Sequence, residues 1–237
     1  MKPVAVLRND AEVPPGYLAA SLHRAGVAWQ LIALDDGEDL PAPEGVAGVV
    51  VLGGLMGAYD VAEYPYLANE KRFLAAAVES EVPVLGICLG AQLLADGLGG
   101  KAYLADGPEA TYMPVRLGEA GRGDPVLSHL ADRHVLRLHQ DTWDPPPGAV
   151  SLATAGGVEQ AFRLGSGIGI QPHPEAEPEI VSSWLSHAGV RNLVREAGTD
   201  PDELISIGEA WRGEGEATAT RIFAAWLNES RVASRES

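Results

Sequence analysis

The sequence predicts an α/β domain built on a doubly wound, mainly parallel sheet. Through the first hundred residues, short β-branched runs alternate with longer Ala- and Leu-rich segments, the pattern of βαβ units. The length of 237 residues suits one well-buried core and is short for two joined catalytic domains, so a single domain over 1–237 is expected.

Taken in order, strands are expected at Val4–Leu7, Val27–Leu34, Val46–Leu52 and Val82–Ile87. Tyr17–Arg24, Tyr66–Glu79 and Gly90–Asp96 have helical spacing. After Gly99 and Gly100 the texture changes to short strand-like pieces between turn residues: Lys101–Leu104, Met113–Leu117, Val135–Leu138 and Ala149–Ala153. These are expected to extend the sheet with antiparallel strands. Gln160–Leu164 and Ile168–Gln171 read as a final hairpin around Gly165 and Gly167. Helical sequence runs from Pro178 towards Trp226, and the end at Arg235, Glu236 and Ser237 is expected to fray.

Composition excludes several function classes. With 17 basic against 33 acidic residues the formal charge is −16, and the cations are scattered, so a phosphate-tracking surface for nucleic acid is not expected. Cys88 is the only cysteine, which rules out an intramolecular disulfide and makes a reducing cytoplasm the expected compartment. The amino terminus lacks a signal peptide's long apolar region and reads as a first strand. No apolar run approaches the roughly 20 residues that span a bilayer, so no membrane partner is expected. The six His show no metal-ligand spacing; neither metal nor cofactor is expected.

Three segments carry chemistry. In Val84-Leu85-Gly86-Ile87-Cys88-Leu89-Gly90-Ala91-Gln92 a buried strand runs into Gly, Cys and Gly and then a helix, the pattern of a nucleophile elbow. The sharp turn lifts the nucleophile out of the sheet, and the glycines are expected to tolerate its crowding and its unusual dihedrals. Cys88 then sits at the positive end of a helix, where thiolate is favoured and the Leu89 N–H points towards a reacting carbonyl. A bare GxCxG also occurs by chance and in Cys-containing α/β hydrolases, so partners are required. Gly169-Ile170-Gln171-Pro172-His173-Pro174-Glu175 supplies them: positions two apart in extended chain share a side, which lets Glu175 fix the His173 tautomer. Together they provide base and orienter for a thiol. The third segment, Val50-Val51-Leu52-Gly53-Gly54-Leu55-Met56-Gly57, is either a plain βα connection or a loop whose N–H groups complete an oxyanion hole.

These segments, in this order, resemble class I glutamine amidotransferases, and among them the free-standing domains similar to the glutaminase part of GMP synthetase. The resemblance runs from Gly53-Gly54 through Tyr64-Pro65-Tyr66-Leu67 and the elbow to His139-Gln140-Asp141 and Gln171–Glu175. It implies a flavodoxin-like sheet with a parallel core, an antiparallel extension and flanking helices. It implies Cys88 as nucleophile, His173 as general base and acid, Glu175 as orienter, and Gly54 and Leu89 as oxyanion N–H donors. Gly53, Gln92, His139 and Gln140 match positions around the substrate. Three departures stand out: Leu55 where proline is common, Pro172 in place of an aromatic residue, and Glu109-Ala110-Thr111-Tyr112 in place of Glu-Ile-Gly-Trp.

The implied function is hydrolysis of the side-chain amide of glutamine through a γ-glutamyl thioester, with ammonia delivered to a separate synthetase partner. Two other readings stand beside it: a free-standing hydrolase of γ-glutamyl peptides or conjugates, and a non-catalytic binding or regulatory module. An α/β hydrolase is disfavoured because the acid here follows the His by two residues, whereas that fold places it before the His.

Overall fold

The computed structural model describes residues 2–233, with side chains through 229; the fraying expected at Arg235, Glu236 and Ser237 lies outside the described residues. The first half runs β1 (Val4–Arg8), α1 (Gly16–Arg24), β2 (Trp29–Ala33), β3 (Gly48–Val51), α2 (Tyr66–Glu79), β4 (Val84–Ile87) and α3 (Leu89–Gly97). There follow β5 (Lys101–Pro114), α4 (Glu119–Gly123), β6 (His134–Asp144), β7 (Val150–Ala155), β8 (Val158–Leu164) and β9 (Gly167–Ile170). The chain then enters α5 (Pro178–Trp184), α6 (Ala188–Glu196) and α7 (Pro201–Ala233).

Seven strands form the main sheet in the order β2-β1-β3-β4-β9-β8-β7. The first five are parallel, and β8 and β7 add antiparallel pairs at the far edge. The interior strands β3, β4 and β9 are buried at every residue, which is why they read as unbroken apolar runs. Side chains alternate between two cores. Val4, Val6, Leu85 and Ile87 face α1, α5 and α7, while Ala5, Leu7, Val49 and Val51 face α2 and α3. Burial of Ile222, Phe223, Trp226 and Leu227 fastens α7 across the first face.

The second half departs from expectation in one respect. Lys101–Leu104, Met113–Leu117 and Val135–Leu138 do not extend the main sheet: β5 and β6 pair with each other in a separate two-stranded sheet. The reason is occupancy of the edge. β9 takes the free side of β4, pairing Val84 with Gly167 through to Ile87 with Ile170, and β8 and β7 follow outward from it. The ribbon instead packs through buried Ala102, Ala110, Leu136 and Trp143, with Trp143 meeting Phe162 edge-on at 5.8 Å. The expected β8–β9 hairpin is present, with Gly165 at φ +56° in its turn. The C-terminal helical region resolves into α5, α6 and α7, and proline opens α5 where its missing N–H costs no helical bond.

Sheet order places the site. From β1 the chain goes to β2 on one side and to β3 on the other, so the crevice beyond the carboxyl ends of β1 and β3 is the topological switch point. Asn9 follows β1 there, Gly53-Gly54 follows β3, and Cys88 follows β4.

Candidate active site

Cys88 stands between the last residue of β4 and the first of α3, at φ 52° and ψ −111°. Such a left-handed-side conformation is uncommon for a residue with a β-carbon, and it persists only where the surroundings impose it. Here they do: the Cys88 N–H donates to the Ile170 carbonyl at 2.8 Å, and the Cys88 carbonyl accepts from the N–H groups of Ala91 and Gln92 at 2.9 and 3.1 Å. The unusual dihedrals expected of the flanking glycines fall on the cysteine instead, since neither Gly86 nor Gly90 has positive φ. Those glycines answer only to crowding. A β-carbon on Gly86 would lie 2.4 Å from the Gly90 carbonyl oxygen, and one on Gly90 would lie 2.4 Å from that of Val51.

His173 is held from three sides. Its N–H donates to the Leu136 carbonyl of β6 at 2.8 Å, its Nδ1 meets Glu175 Oε1 at 2.7 Å, and the Trp184 ring lies edge-on at 5.3 Å. The Glu175 carbonyl in turn accepts the Tyr17 N–H at 3.0 Å. Both side chains are buried, so the i, i+2 geometry expected from the sequence is realised in a water-poor setting. Burial opposes charging the ring, but Glu175 and Cys88 outweigh it and hold His173 well above the ordinary histidine value. With Nδ1 committed to Glu175, Nε2 is the nitrogen left to exchange a proton with the thiol and its substrate.

The Gly53-Gly54 turn lies over this pair. A β-carbon on Gly53 would come within 3.2 Å of His173 Cε1 and 3.7 Å of Cys88 Cβ; one on Gly54 would come within 2.7 Å of Leu89 Cδ2. Glycine is therefore required for closeness on both residues. Among the described residues, neither the Gly54 N–H nor the Leu89 N–H has a hydrogen-bond acceptor. Leu89 opens α3, whose first N–H groups have no partner within the helix. Leu55, at the proline-type position, is 60% exposed, and its N–H meets Asp10 Oδ2 at 3.3 Å; Pro172 is buried.

A cavity of about 90 Å³ opens onto Cys88 and His173. Gly54, Gln92, His139 and Gln140 line it, as does an apolar wall of Val13, Leu138, Trp184, Val190 and Leu193. Gln92 lies deep, with Nε2 at 3.4 Å from both the Asp141 carbonyl and Gln171 Oε1. His139 is less free than expected for a substrate contact: Nδ1 meets the Asp141 carbonyl at 3.0 Å and Nε2 meets Glu109 Oε2 at 2.9 Å. Its ring is a strut between β6 and β5. Burial disfavours the Glu109 carboxylate, but His139 and Arg137 offset that and leave it below the usual range.

Sequence reasoning missed Asp141, Tyr59 and Trp184. The Tyr59 hydroxyl donates to Asp141 Oδ1 at 2.8 Å, and burial followed by that carboxylate pushes the Tyr59 hydroxyl up to about 12. The two residues are 82 positions apart, which no local pattern encodes. Among the described residues no group of three His, Cys, Asp or Glu side chains is placed to hold a metal ion, and no helix is long and apolar enough to cross a membrane.

Comparison with known proteins bears on this arrangement. A family model described as glutamine amidotransferase class-I matches residues 17–186. The chain is 30% identical over 175 residues to a free-standing subunit of the glutamine-hydrolyzing GMP synthase of Haloarcula marismortui, a match covering 70% of this chain and 86% of that one. It is 33% identical over 202 residues to the glutamine-hydrolyzing GMP synthase of Aeropyrum pernix, spanning 80% of this chain and only 36% of that longer protein. Among solved structures it superposes on a glutamine amidotransferase from Thermotoga maritima with a TM-score of 0.84 at 26% identity, covering 95% of this chain and 97% of that one. A glutamine amido transferase from Methylobacillus flagellatus gives 0.86 at 26% identity, over 97% and 95% of the two chains.

Proposed function

The chain belongs to the class I glutamine amidotransferases, amide hydrolases with a cysteine nucleophile, and from that premise we propose that it hydrolyses glutamine through Cys88, His173 and Glu175. The observation that carries this reading is the convergence of Cys88, the His173–Glu175 pair and two unpartnered N–H groups on one cavity. Cys88 Sγ, as thiolate, attacks the side-chain carbonyl carbon of glutamine and forms the S–C bond. The carbonyl oxygen takes the negative charge and is received by the N–H groups of Gly54 and Leu89. The charged His173 ring protonates the leaving nitrogen, the C–N bond breaks, and ammonia departs from a γ-glutamyl thioester. Water then loses a proton to His173, attacks the thioester and releases glutamate and the Cys88 thiolate.

The magnitudes agree with the roles. One oxyanion donor contributes about 2.7 to 4 kcal/mol to the transition state. General acid–base catalysis adds roughly 10² to 10⁴ in rate. Gln92 and Gln140 border the substrate, while His139 supports them through Glu109 and Asp141 rather than through a free ring nitrogen. Ammonia would pass to a separate synthetase partner in a reducing cytoplasm.

A second reading is favoured by the apolar wall. Val13, Trp184, Val190 and Leu193 suit the carbon skeleton of an amine leaving group, which glutamine lacks, and so support a γ-glutamyl peptide or conjugate hydrolase. One experiment separates the two: release of glutamate from glutamine and from γ-glutamyl peptides, with Cys88→Ala as control. Cys88-dependent turnover of glutamine supports the amidotransferase; turnover of the peptides alone supports the hydrolase; wild-type turnover by Cys88→Ala refutes both.

A further inference from the structure

Beneath the Gly53-Gly54 turn lies a buried polar pair that the chemistry above does not use. Glu70 is on the inward stripe of α2, between Leu67 and Leu74, and is completely buried. Its Oε1 accepts from Asn9 Nδ2 at 3.3 Å, and Asn9 is completely buried as well. The remaining atoms of the two groups, Glu70 Oε2 and Asn9 Oδ1, are both buried without a partner. Two acceptors cannot satisfy each other, but a carboxylic acid and an amide can form a two-bond ring: Nδ2–H donates to Oε1 and Oε2–H donates to Oδ1. A single proton on Glu70 thus removes both unsatisfied atoms.

The pair touches the site through its neighbours. Asn9 Cβ lies 3.6 Å from where a Gly54 β-carbon would stand, and the next residue, Asp10, receives the Leu55 N–H at 3.3 Å. The Asn9 carbonyl accepts the Tyr66 hydroxyl at 2.8 Å, so α2 grips the segment at two points. We propose that Asn9 and Glu70 form a buried amide–carboxylic acid pair that positions the Gly53-Gly54 turn, and with it the Gly54 N–H, beside Cys88. This rests on the reading of Gly54 as an oxyanion donor; Asn9 and Glu70 are positioning residues.

The electrostatic setting agrees. Burial raises Glu70 to about 8, opposed only by the Asn9 hydrogen bond. Of the titratable and charged groups around it, Tyr66 is held neutral, chiefly by burial and then by Glu70 and Asp35. Arg8, before Asn9, is paired with Asp35 and Asp36, and Lys71 of α2 is paired with Asp96 of α3, so neither cation is turned to Glu70. Asp10, Tyr64 and the His173–Cys88 pair complete the surroundings of the turn.

The test compares wild type, Glu70→Gln, Glu70→Ala and Cys88→Ala in the intact chain. Two reagents report on Cys88. Iodoacetamide needs only the thiolate: the S–C bond forms as iodide leaves. A chloromethyl ketone analogue of glutamine adds the thiolate to its carbonyl, so its rate responds to the oxyanion donors before chloride is displaced. Glu70→Gln preserves an amide–amide ring and is expected to keep wild-type chloromethyl ketone rates and to hold them flat through the pH range above neutrality where wild type declines. Glu70→Ala is expected to slow the chloromethyl ketone at least tenfold while leaving iodoacetamide within twofold, a split that general loosening of the fold would not produce. Circular dichroism checks that each variant is folded. Equal chloromethyl ketone rates and equal pH profiles in all three Cys88-containing proteins would overturn the positioning role alone. Failure of the chloromethyl ketone to label wild-type Cys88 would overturn the active-site reading and the inference with it.

Discussion

Replacing Gly86 by alanine should damage catalysis more than it damages folding. The new β-carbon would stand 2.4 Å from the Gly90 carbonyl oxygen and 2.7 Å from the Ala91 nitrogen, both backbone atoms, whereas ordinary contact begins at 3.4 Å. No side chain can turn away to relieve this, so α3 must retreat from β4 by about 1 Å. Overpacking of this kind costs about 1 to 3 kcal/mol of stability. The retreat moves the Leu89 N–H and the Cys88 turn together relative to His173, and a misplacement of about 1 Å costs on the order of 10²-fold in rate. Urea unfolding and steady-state kcat for glutamate release measure the two effects separately. Gly213→Ala is the contrasting variant: nothing lies within 4 Å of its β-carbon and it sits inside α7, so it should gain roughly 0.5 to 1 kcal/mol with unchanged kcat. A Gly86→Ala protein with wild-type stability and kcat would show that the elbow is not close-packed against β4 and would refute the reasoning.

Three other predictions concern single groups. Glu175→Gln keeps the hydrogen bond to His173 but removes the charge that most supports the ring's proton, so the alkaline limb of the rate profile should move to lower pH and kcat should fall without vanishing; an unmoved profile would count against the orienting role. Glu70 is raised in the fold from 4.5 to about 8, so its stability contribution is fully present below 4.5 and is lost as pH rises through about 8; at about 1.4 kcal/mol per pH unit the loss approaches roughly 5 kcal/mol, and Glu70→Gln should abolish that slope in urea titrations between pH 5 and 9. Asp124 caps the N–H groups of Val126 and Leu127 and pairs with Arg163; burial disfavours its charge, but these partners hold it below 3.8, so the stability it provides is present above that value and lost below it. Asp124→Ala should cost about 3 to 5 kcal/mol at neutral pH and raise the midpoint of acid unfolding, read by circular dichroism.

Much of the site was legible because its parts are local. Gly86, Cys88 and Gly90 lie within five consecutive residues, and the demand for glycine there comes from a turn that the same residues make. His173 and Glu175 are two apart, and an extended segment alone brings them together at 2.7 Å. Long-range partners were not legible. Glu109 reaches His139 across 30 residues, Tyr59 reaches Asp141 across 82, and Asn9 reaches Glu70 across 61. One of these left a trace: Leu67, Glu70, Leu74 and Ala77 follow helical spacing on the buried face of α2, so a carboxylate on an apolar stripe marked Glu70 as a residue needing a buried partner.

By itself the sequence determined the α/β class, the strand-to-helix turn at Cys88, the paired His173 and Glu175, and the glycines of the oxyanion turn. All of these follow from periodicity, backbone sterics and separations of a few residues. Tertiary structure decided which strands share a sheet. With β9 on the open side of β4, the β5–β6 ribbon was left to form its own sheet and to grip His173 through Leu136. Tertiary structure also decided that the strain falls on Cys88 rather than on its glycines, and that His139 is a strut while Asn9 and Glu70 lie under the catalytic turn. The physical reason is common to all three: edge pairing, burial and the sharing of hydrogen bonds depend on neighbours in space, and the chain acquires those neighbours only when the two layers of helices close over the sheet.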